Sequence, residues 1–309
     1  GDGGGVQYQD VKLEIELMRS LDHQNIVRYL GAELHQSSEG VGSTSMLYVL
    51  QEWAPGGSLG GLVRSFGPLD LSVQRRYVRS ILRGLVFLHE KSVVHRDLKP
   101  DNVLLDDCGE CKIADFGASK RLRSPVTGLG GTCQPPEDFT LKGTPYYMAP
   151  EQMIQDGADR KSDVWSLGGV TLFMATGDFP WKHASGFENV SELNSFAFFF
   201  KVRESGDTTP LTGLPPEKLR LISPGGAFGS ASGSCPGGSG SHGGGGGGGN
   251  DDNSVSSNTT GTTGGSNSKS GSNSKSKPLL PLLERCFERD PNNRSSAASL
   301  MNGIRKGEL

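Results

Sequence analysis

The stretch that most limits how this chain can fold is DVWSLGGVTLFMATG, residues 163–177. Its spacing is typical of a helix, but its apolar residues surround that helix instead of forming one stripe. A helix that is apolar on nearly every side has to be enclosed by other elements of a larger core. A chain of 309 residues is long enough to supply that core, as one large domain or as two lobes.

Other segments show simpler periodicity. Residues 11–21 predict a helix with Val11, Ile15, Met18 and Leu21 on one face, and residues 72–90 predict a long amphipathic helix. Residues 46–53, MLYVLQEW, predict a strand that ends before a Pro-Gly-Gly turn. Residues 278–291 again have the apolar spacing of a helix.

One region breaks this pattern. From about residue 222 to residue 277 the chain is almost wholly Gly, Ser, Asn and Thr. Such a segment cannot bury enough apolar surface to offset the entropy lost on ordering. We therefore expect a disordered insertion within the folded chain, and an insertion of this length costs little because loop-closure entropy grows slowly with length.

Composition excludes several classes of protein. The net charge of −3 gives no reason to expect a nucleic acid or an anionic membrane as partner, and the longest apolar run, SFAFFF, is too short for membrane insertion. We find no basic and apolar signal segment, so the cytoplasm is the expected location. Five cysteines argue against a disulfide framework. Cys108 and Cys111 form a CxxC pair without the second pair of a zinc ribbon, so we interpret DDCGEC as a turn between two short strands, with Gly109 at the bend.

The strongest chemical signal is VVHRDLKPDNVLL, residues 93–105, followed by IADFG, residues 113–117. Phosphoryl transfer needs a carboxylate to orient a hydroxyl nucleophile, a cation for the phosphate and oxygen ligands for Mg²⁺. The first motif offers an Asp, a Lys and an Asn in one short loop. Asn102 and Asp115 together could supply the hard oxygens that Mg²⁺ prefers.

These motifs, together with GTPYYMAPE and KSDVWSLGG, make the chain resemble a eukaryotic protein kinase. Lys99 and Thr144 resemble the serine/threonine kinases. HQNIVRYLG, EWAPGGSL, DFGASKRL and MATGDFPW resemble the MEKK-like MAP kinase kinase kinases, with the plant members most similar. The resemblance implies an α+β fold with two lobes: a partial N-lobe at residues 1–54 and a mainly helical C-lobe at residues 55–309, interrupted by the insertion.

The resemblance also implies roles for individual residues, with ATP and Mg²⁺ as cofactors and a protein substrate that we expect to be a MAP kinase kinase. Asp97 would be the catalytic base, Lys99 would contact the γ-phosphate, and Asn102 and Asp115 would hold magnesium. Thr144 would bridge Asp97 and Lys99. Around the adenosine, the residues implied are Gln51 at the back pocket, Glu52 and Ala54 in the interlobe linker, Ser58 at the ribose and Leu104 beneath the base.

Further positions follow from the same resemblance. Glu151 would pair with Arg294, Asp163 would fix the backbone of the HRD loop, and His95 would pack under Phe116. Met18 and Tyr29 would belong to the apolar stack between the lobes. Arg96 would need an anionic partner, and the candidate phosphorylation sites are Thr132 and Thr140, then Ser124 and Thr127.

Two parts of a complete kinase are missing from the sequence: the glycine-rich loop and the strand lysine. The helix glutamate is present as Glu14, but Lys12 lies only two residues from it, and such side chains do not face each other on a helix. The opening GDGGGV does not fit GxGxxG.

Two alternatives follow, a fragment of a longer active kinase or a pseudokinase that serves as a scaffold. We favour the fragment because the catalytic motifs are intact. A lobe left with about two strands is marginal, so we expect little activity from this chain alone. A P-loop enzyme is excluded, since no GxxxxGK[ST] occurs.

Overall fold

The helix that is apolar on all sides lies at the centre of the fold. In the computed structural model it is α5, Arg160–Thr176, and every residue from Ser162 to Thr176 is buried. The Asp159 side chain accepts hydrogen bonds from the amides of Lys161 and Ser162 and so caps the first turn. Gly177, at φ 73°, ends the helix in the left-handed conformation that glycine adopts without strain.

The structure describes residues 15–37, 44–121, 145–153, 159–187, 189, 193–223 and 278–309. These residues all belong to one contact unit of the chain. Several predictions fall outside them: the opening glycines, Lys12, Glu14, Thr144, the candidate phosphorylation sites Ser124, Thr127, Thr132 and Thr140, and all but the first two residues of the predicted insertion. Within the described residues, no helix is long and apolar enough to cross a membrane.

Helices surround α5. In chain order, the helices of the described residues, α5 included, are α1 at residues 15–19, α2 Leu59–Phe66, α3 Leu71–Glu90, α4 Pro150–Met153, α5 Arg160–Thr176, α6 Ser195–Glu204, α7 Pro216–Ile222, α8 Leu280–Cys286 and α9 Ala297–Lys306. The predicted helix at residues 72–90 is confirmed as α3, which buries Tyr77, Ile81, Leu85 and Leu88 on one face.

Among the residues that the structure describes, six strands form three small antiparallel sheets. β1 Tyr29–Ser37 pairs with β2 Thr44–Gln51, β3 Val93–Val94 with β6 Lys120–Arg121, and β4 Val103–Leu105 with β5 Cys111–Ile113. The predicted strand at residues 46–53 is therefore two residues longer at its start and ends at Gln51. The predicted turn between β4 and β5 is confirmed: the Asp106 carboxylate accepts from the amides of Cys108 and Glu110, and Gly109 has φ 70°.

Two hydrophobic clusters meet on α5. One joins α1, α3, β4 and β5 with the inner half of α9, and it includes Met18 and Phe116. The other is built on Trp165, Trp181, Phe187 and Phe198, whose rings contact one another. The loop between β3 and β4 packs on the first cluster through Leu98, so the polar residues of the loop are supported by the hydrophobic core.

Candidate active site

The loop after β3 is held by one buried carboxylate, that of Asp163 in the first turn of α5. Its oxygens accept hydrogen bonds from the backbone amides of His95, at 3.0 Å, and Arg96, at 2.9 Å. They also accept from Nε2 of His89, at 2.8 Å. The prediction that Asp163 fixes the backbone of this loop is confirmed. Arg96 has φ 72°, so the loop turns sharply just before Asp97.

His95 connects this loop to the strand-end segment that carries Asp115. Its ring is fully buried and packs edge-to-face on Phe116, with 5.3 Å between ring centroids. Its Nε2 lies 3.0 Å from the carbonyl oxygen of Ala114. The predicted packing of His95 under Phe116 is confirmed, and the histidine acts as a core residue.

Asp97, Lys99 and Asn102 form one hydrogen-bonded cluster. The Lys99 ammonium donates to Asp97 Oδ2 at 2.6 Å, and Asn102 Nδ2 donates to the same oxygen at 3.1 Å and to the Asp97 carbonyl at 2.9 Å. A 3₁₀ turn, Pro100–Asn102, folds the chain back so that Asn102 reaches Asp97. Asp97 Oδ1 has no partner among the described residues, so it can accept a proton or a hydroxyl hydrogen.

Asp115 is connected to this cluster by a hydrogen bond of the preceding residue, Ala114. The amide of Ala114 donates to the carbonyl of Asn102 at 2.9 Å, so the two predicted magnesium ligands are separated by one backbone hydrogen bond and one residue. Asp115 has φ 64° and an exposed side chain, and among the described residues only the amide of Gly117, at 3.4 Å, approaches its carboxylate. An aspartate in this conformation marks a constrained site.

The donor chemistry fits Mg²⁺. Both hydrogen bonds from the Asn102 amide use its nitrogen, so its oxygen is left for another ligand. The Asp115 carboxylate adds hard anionic oxygens. This pair supplies few protein ligands, as is usual for Mg²⁺ that also binds phosphates and water.

The predicted adenine-binding residues lie where β2 ends. The Glu52 amide donates to the Arg28 carbonyl at 3.0 Å, and the Glu52 carboxylate accepts from the Arg28 amide at 2.7 Å and from Lys112 Nζ at 3.0 Å. Glu52 is thereby fixed on three sides. In the described part of the chain, its carbonyl and the amide of the buried Ala54 have no hydrogen-bond partner. Those two groups are free to bind a planar base. Gln51 is exposed, and its Nε2 lies 3.6 Å from Met18 Sδ.

Ser58 and Leu104 lie side by side. They form an isolated antiparallel bridge, which places the strand that contains Leu104 against the start of α2. The Ser58 hydroxyl caps α2 by accepting from the Gly61 amide at 3.0 Å. A ribose hydroxyl bound here would share an oxygen that already has a structural role. Leu104 is half-buried.

Glu151 and Arg294 form the predicted pair. Arg294 Nη1 lies 2.6 Å from Glu151 Oε1, and Arg294 Nη2 lies 3.1 Å from Glu151 Oε2, which is the bidentate geometry of a strong ion pair. The guanidinium is almost completely buried and lies over the Trp165 ring at 5.0 Å. This prediction is confirmed.

Sequence reasoning missed three contacts of the site. His89 is the third hydrogen-bond partner of the Asp163 carboxylate. Lys112 forms an ion pair with Glu52, and Arg64 on α2 forms one with Asp101 at 2.5 Å. The only signal for His89 was a polar residue next to the apolar face of α3. The other two pairs join elements far apart in the chain, and no local pattern predicts them.

A comparison with protein-family models assigns the family: the model described as protein kinase domain matches residues 4–303. The geometry of the site agrees with this assignment. The chain belongs to the protein kinase family. The α+β kinase fold predicted from the sequence is confirmed, and ATP is the phosphoryl donor that membership implies.

Three relatives show the branch of the family. The chain is 42% identical over 173 residues to mitogen-activated protein kinase kinase kinase ANP1 of Arabidopsis thaliana, an alignment covering 56% of this chain and 24% of that protein. It is 44% identical over 180 residues to mitogen-activated protein kinase kinase kinase A of Dictyostelium discoideum, covering 58% and 17%. It is 35% identical over 214 residues to serine/threonine-protein kinase BCK1/SLK1/SSP31 of Saccharomyces cerevisiae, covering 69% and 13%. The chain thus spans less than a third of these relatives.

Proposed function

We propose that the protein is a serine/threonine kinase that acts as a MAP kinase kinase kinase, transferring the γ-phosphoryl group of Mg-ATP to a hydroxyl of a MAP kinase kinase. The observation that carries the proposal is the cluster of Asp97, Lys99 and Asn102, with Asp115 joined to it through Ala114. The names of the relatives support the substrate class. The cytoplasm remains the predicted location.

In this proposal Asp97 accepts the hydrogen bond of the acceptor hydroxyl and orients its oxygen toward the phosphorus. Lys99, which neutralises one Asp97 oxygen in the structure, is placed to contact the γ-phosphate at the same time. Asn102 and Asp115 would hold magnesium, which supplies charge neutralisation on the phosphate oxygens. Thr144, outside the described residues, would complete the acceptor site.

The adenosine would bind along the linker after β2. The Glu52 carbonyl would accept from the adenine amino group, and the Ala54 amide would donate to a ring nitrogen. Gln51 would border the back of this pocket, Leu104 would lie beneath the base, and Ser58 would contact the ribose. The partial N-lobe at residues 1–54 and the C-lobe at residues 55–309 would enclose the nucleotide.

The alternative, a pseudokinase scaffold, is less well supported. A protein that only binds partners has no need for a base, a lysine and two magnesium ligands in one bonded arrangement. These four groups, joined by their supporting hydrogen bonds, therefore favour an enzyme.

The test is a phosphorylation assay on the protein expressed from the complete coding sequence that contains these 309 residues. We expect transfer of labelled phosphate from ATP to a MAP kinase kinase, and we expect Asp97→Asn to reduce kcat by roughly 10²- to 10⁴-fold. Nucleotide binding by Asp97→Asn should be unchanged, whereas Asp115→Asn should lose the magnesium dependence of nucleotide binding. Equal activity of Asp97→Asn and wild type would refute the assignment. Nucleotide binding without any transfer would favour the scaffold.

A further inference from the structure

An ion pair that the proposed reaction does not use lies beside the proposed catalytic base. Arg64 on α2 donates to Asp101 Oδ1 at 2.5 Å, and Asp101 belongs to the 3₁₀ turn Pro100–Asn102. The next residue, Asn102, donates to Asp97 Oδ2 at 3.1 Å. Because consecutive Cα atoms are about 3.8 Å apart, the Asp101 carboxylate lies within about 12 Å of the Asp97 carboxylate. The ion pair therefore borders the place where an acceptor hydroxyl would bind.

The close packing of α2 against this loop brings Arg64 onto Asp101. Gly60 on α2 is buried, and a Cβ atom at that position would lie 2.5 Å from Asp101 Oδ1 and 3.0 Å from Arg64 Nη1. Residues four apart lie on the same face of a helix, so Gly60 leaves the space and Arg64, one turn later, fills it. A side chain at position 60 would push the two charged groups apart.

Tyr147 places the same ion pair next to the segment that follows Thr144. It ends the 3₁₀ turn Pro145–Tyr147, which begins directly after that threonine. Burial raises the pKa of the Tyr147 hydroxyl, the charge of Asp101 raises it further, and the charge of Arg64 lowers it. The hydroxyl is thus within electrostatic reach of both charges. The ion pair lies between the loop of the proposed base and the start of the segment that would complete the acceptor site.

The ion pair contributes little to the stability of the fold. The side chains of Arg64 and Asp101 are 58% and 50% exposed, and exposed ion pairs are weak. Helix α2 has its own caps at Ser58 and Gly67. Among the described residues, neither charged side chain has a second hydrogen-bond partner. The effect of the ion pair is therefore on the charge of the surface beside the proposed base.

We propose that Arg64 sets the charge preference of the acceptor site, because it neutralises Asp101 and so closes a subsite for a basic residue of the substrate. This inference rests on the proposed kinase function. An unpaired Asp101 would attract an arginine or lysine near the acceptor hydroxyl. In the native protein such a residue meets the Arg64 guanidinium, and like charges placed side by side oppose binding. Loss of Arg64 should therefore create a preference that the native protein lacks.

A subsite for an acidic residue fits this surface less well. A carboxylate that approaches Arg64 also approaches Asp101, whose oxygen is 2.5 Å from the guanidinium. The proposed base Asp97 and the proposed magnesium ligand Asp115 add two more carboxylates to the same site. Among the ion pairs of the described residues, Asp101 takes part in that with Arg64 alone. Basic residues are thus the ones whose binding should change when Arg64 is lost.

The experiment compares kcat/KM for pairs of serine peptides, with the protein expressed from the complete coding sequence. One peptide has neutral residues around the serine, and the other has a single arginine, placed in turn at positions on either side. An extended peptide advances about 3.3 Å per residue, so Asp101 is reached within about four residues of the acceptor. Arg64→Gln should raise the ratio of arginine to neutral peptide about fivefold over native protein at one or two positions.

Three variants test whether Asp101 is the cause. Arg64→Lys keeps the ion pair and should leave the ratios as in native protein. Arg64→Gln with Asp101→Asn removes both charges and should return the ratios to their native values. Arg305→Gln, at an exposed position of α9, makes the same change in net charge as Arg64→Gln and should change no ratio. Because each ratio compares two peptides on one variant, a loss of active protein cancels.

Unchanged ratios for Arg64→Gln at every position would overturn the proposal, and so would a gain that persists in the double variant. Fluorescence anisotropy of the labelled arginine peptides, titrated with the same proteins without nucleotide, measures the subsite independently of transfer. Arg64→Gln should bind the peptide tighter than native protein does by a similar factor, and equal affinities would refute the subsite. A difference in affinity with no transfer by any variant would contradict the proposed kinase function and support the subsite.

Discussion

Asp163 is the residue whose loss should damage the site most without touching a reacting group. Its carboxylate is fully buried and serves the amides of His95 and Arg96 and the ring of His89. Asp163→Ala removes all three acceptor contacts at once. Water does not reach this position in the folded protein, so the three donors would be left without partners.

The loss in free energy of unfolding can be worked out from those three contacts. A buried donor left unsatisfied costs about 1–3 kcal/mol, and breaking a buried charged network by removing one partner costs about 3–5 kcal/mol. We therefore expect Asp163→Ala to lower the free energy of unfolding by about 4 kcal/mol, a large part of the roughly 5–15 kcal/mol of an ordinary domain. Asp163→Asn keeps one carbonyl acceptor and should fall between Ala and wild type.

Urea unfolding followed by tryptophan fluorescence measures this loss. Of the three tryptophans, Trp53 is 85% exposed while Trp165 and Trp181 are buried, so the emission shift reports on the core around α5. The control is Asp159→Ala on the same helix, which removes a cap and should cost about 1 kcal/mol. If Asp163→Ala costs no more than Asp159→Ala, the reasoning about the buried carboxylate is wrong.

Two further predictions concern titrating groups. Burial alone would raise the pKa of Asp178, but hydrogen bonds from Lys182, His183 and Lys218 outweigh it and hold that pKa well below its ordinary value. These hydrogen bonds stabilise the folded protein above the ordinary carboxyl pKa near 4, and the stabilisation is lost as the pH falls toward the pKa of Asp178 in the folded protein. Asp178→Asn should therefore lower the free energy of unfolding by about 2 kcal/mol at pH 7 and by progressively less below about pH 4, as measured by urea unfolding. Equal costs at pH 7 and pH 3 would contradict this. Burial raises the pKa of the Cys286 thiol to about 12, and burial also raises the pKa of the Cys111 thiol. In native protein at pH 8 a thiol reagent should therefore modify the exposed Cys108 and leave Cys111 and Cys286 intact, whereas both should react in urea. Rapid labelling of Cys286 in the native protein would contradict its burial.

Local sequence pattern predicted the helices that bury one clear face or every face. α3 and α5 were predicted within two or three residues, because twenty or so residues of periodic sequence leave little freedom in where the apolar face begins. The turn at Gly109 followed from its composition. By contrast, β1 was not predicted, since YLGAELHQS has a glycine and charged residues within it and no clean alternation.

The sheet of β1 and β2 shows why strand patterns are weaker guides. The apolar content of MLYVLQEW predicted a strand, but within the described residues Leu34, Met46 and Leu50 all remain more than half exposed. A two-stranded sheet has no third strand or second layer to cover such side chains. Their burial depends on tertiary context, which the pattern of eight residues does not contain.

In the candidate site, too, the sequence predicted the residues, whereas the contacts between them depend on the tertiary structure. The roles proposed for Asp97, Asn102 and Asp115 came from motifs, and the structure brings these residues together through contacts that the motifs do not state. Asp163 bonds the two residues before Asp97, His95 reaches the carbonyl of Ala114, and the Ala114 amide returns to Asn102. The path starts at Asp163 on α5, and each link ends at or near a residue proposed for catalysis. The position of the groups proposed for catalysis is therefore set by α5, which is buried from Ser162 to Thr176, whereas the linker proposed to bind adenine follows the exposed sheet of β1 and β2. The same apolar helix that constrains the fold thus positions the half of the site that we propose for catalysis.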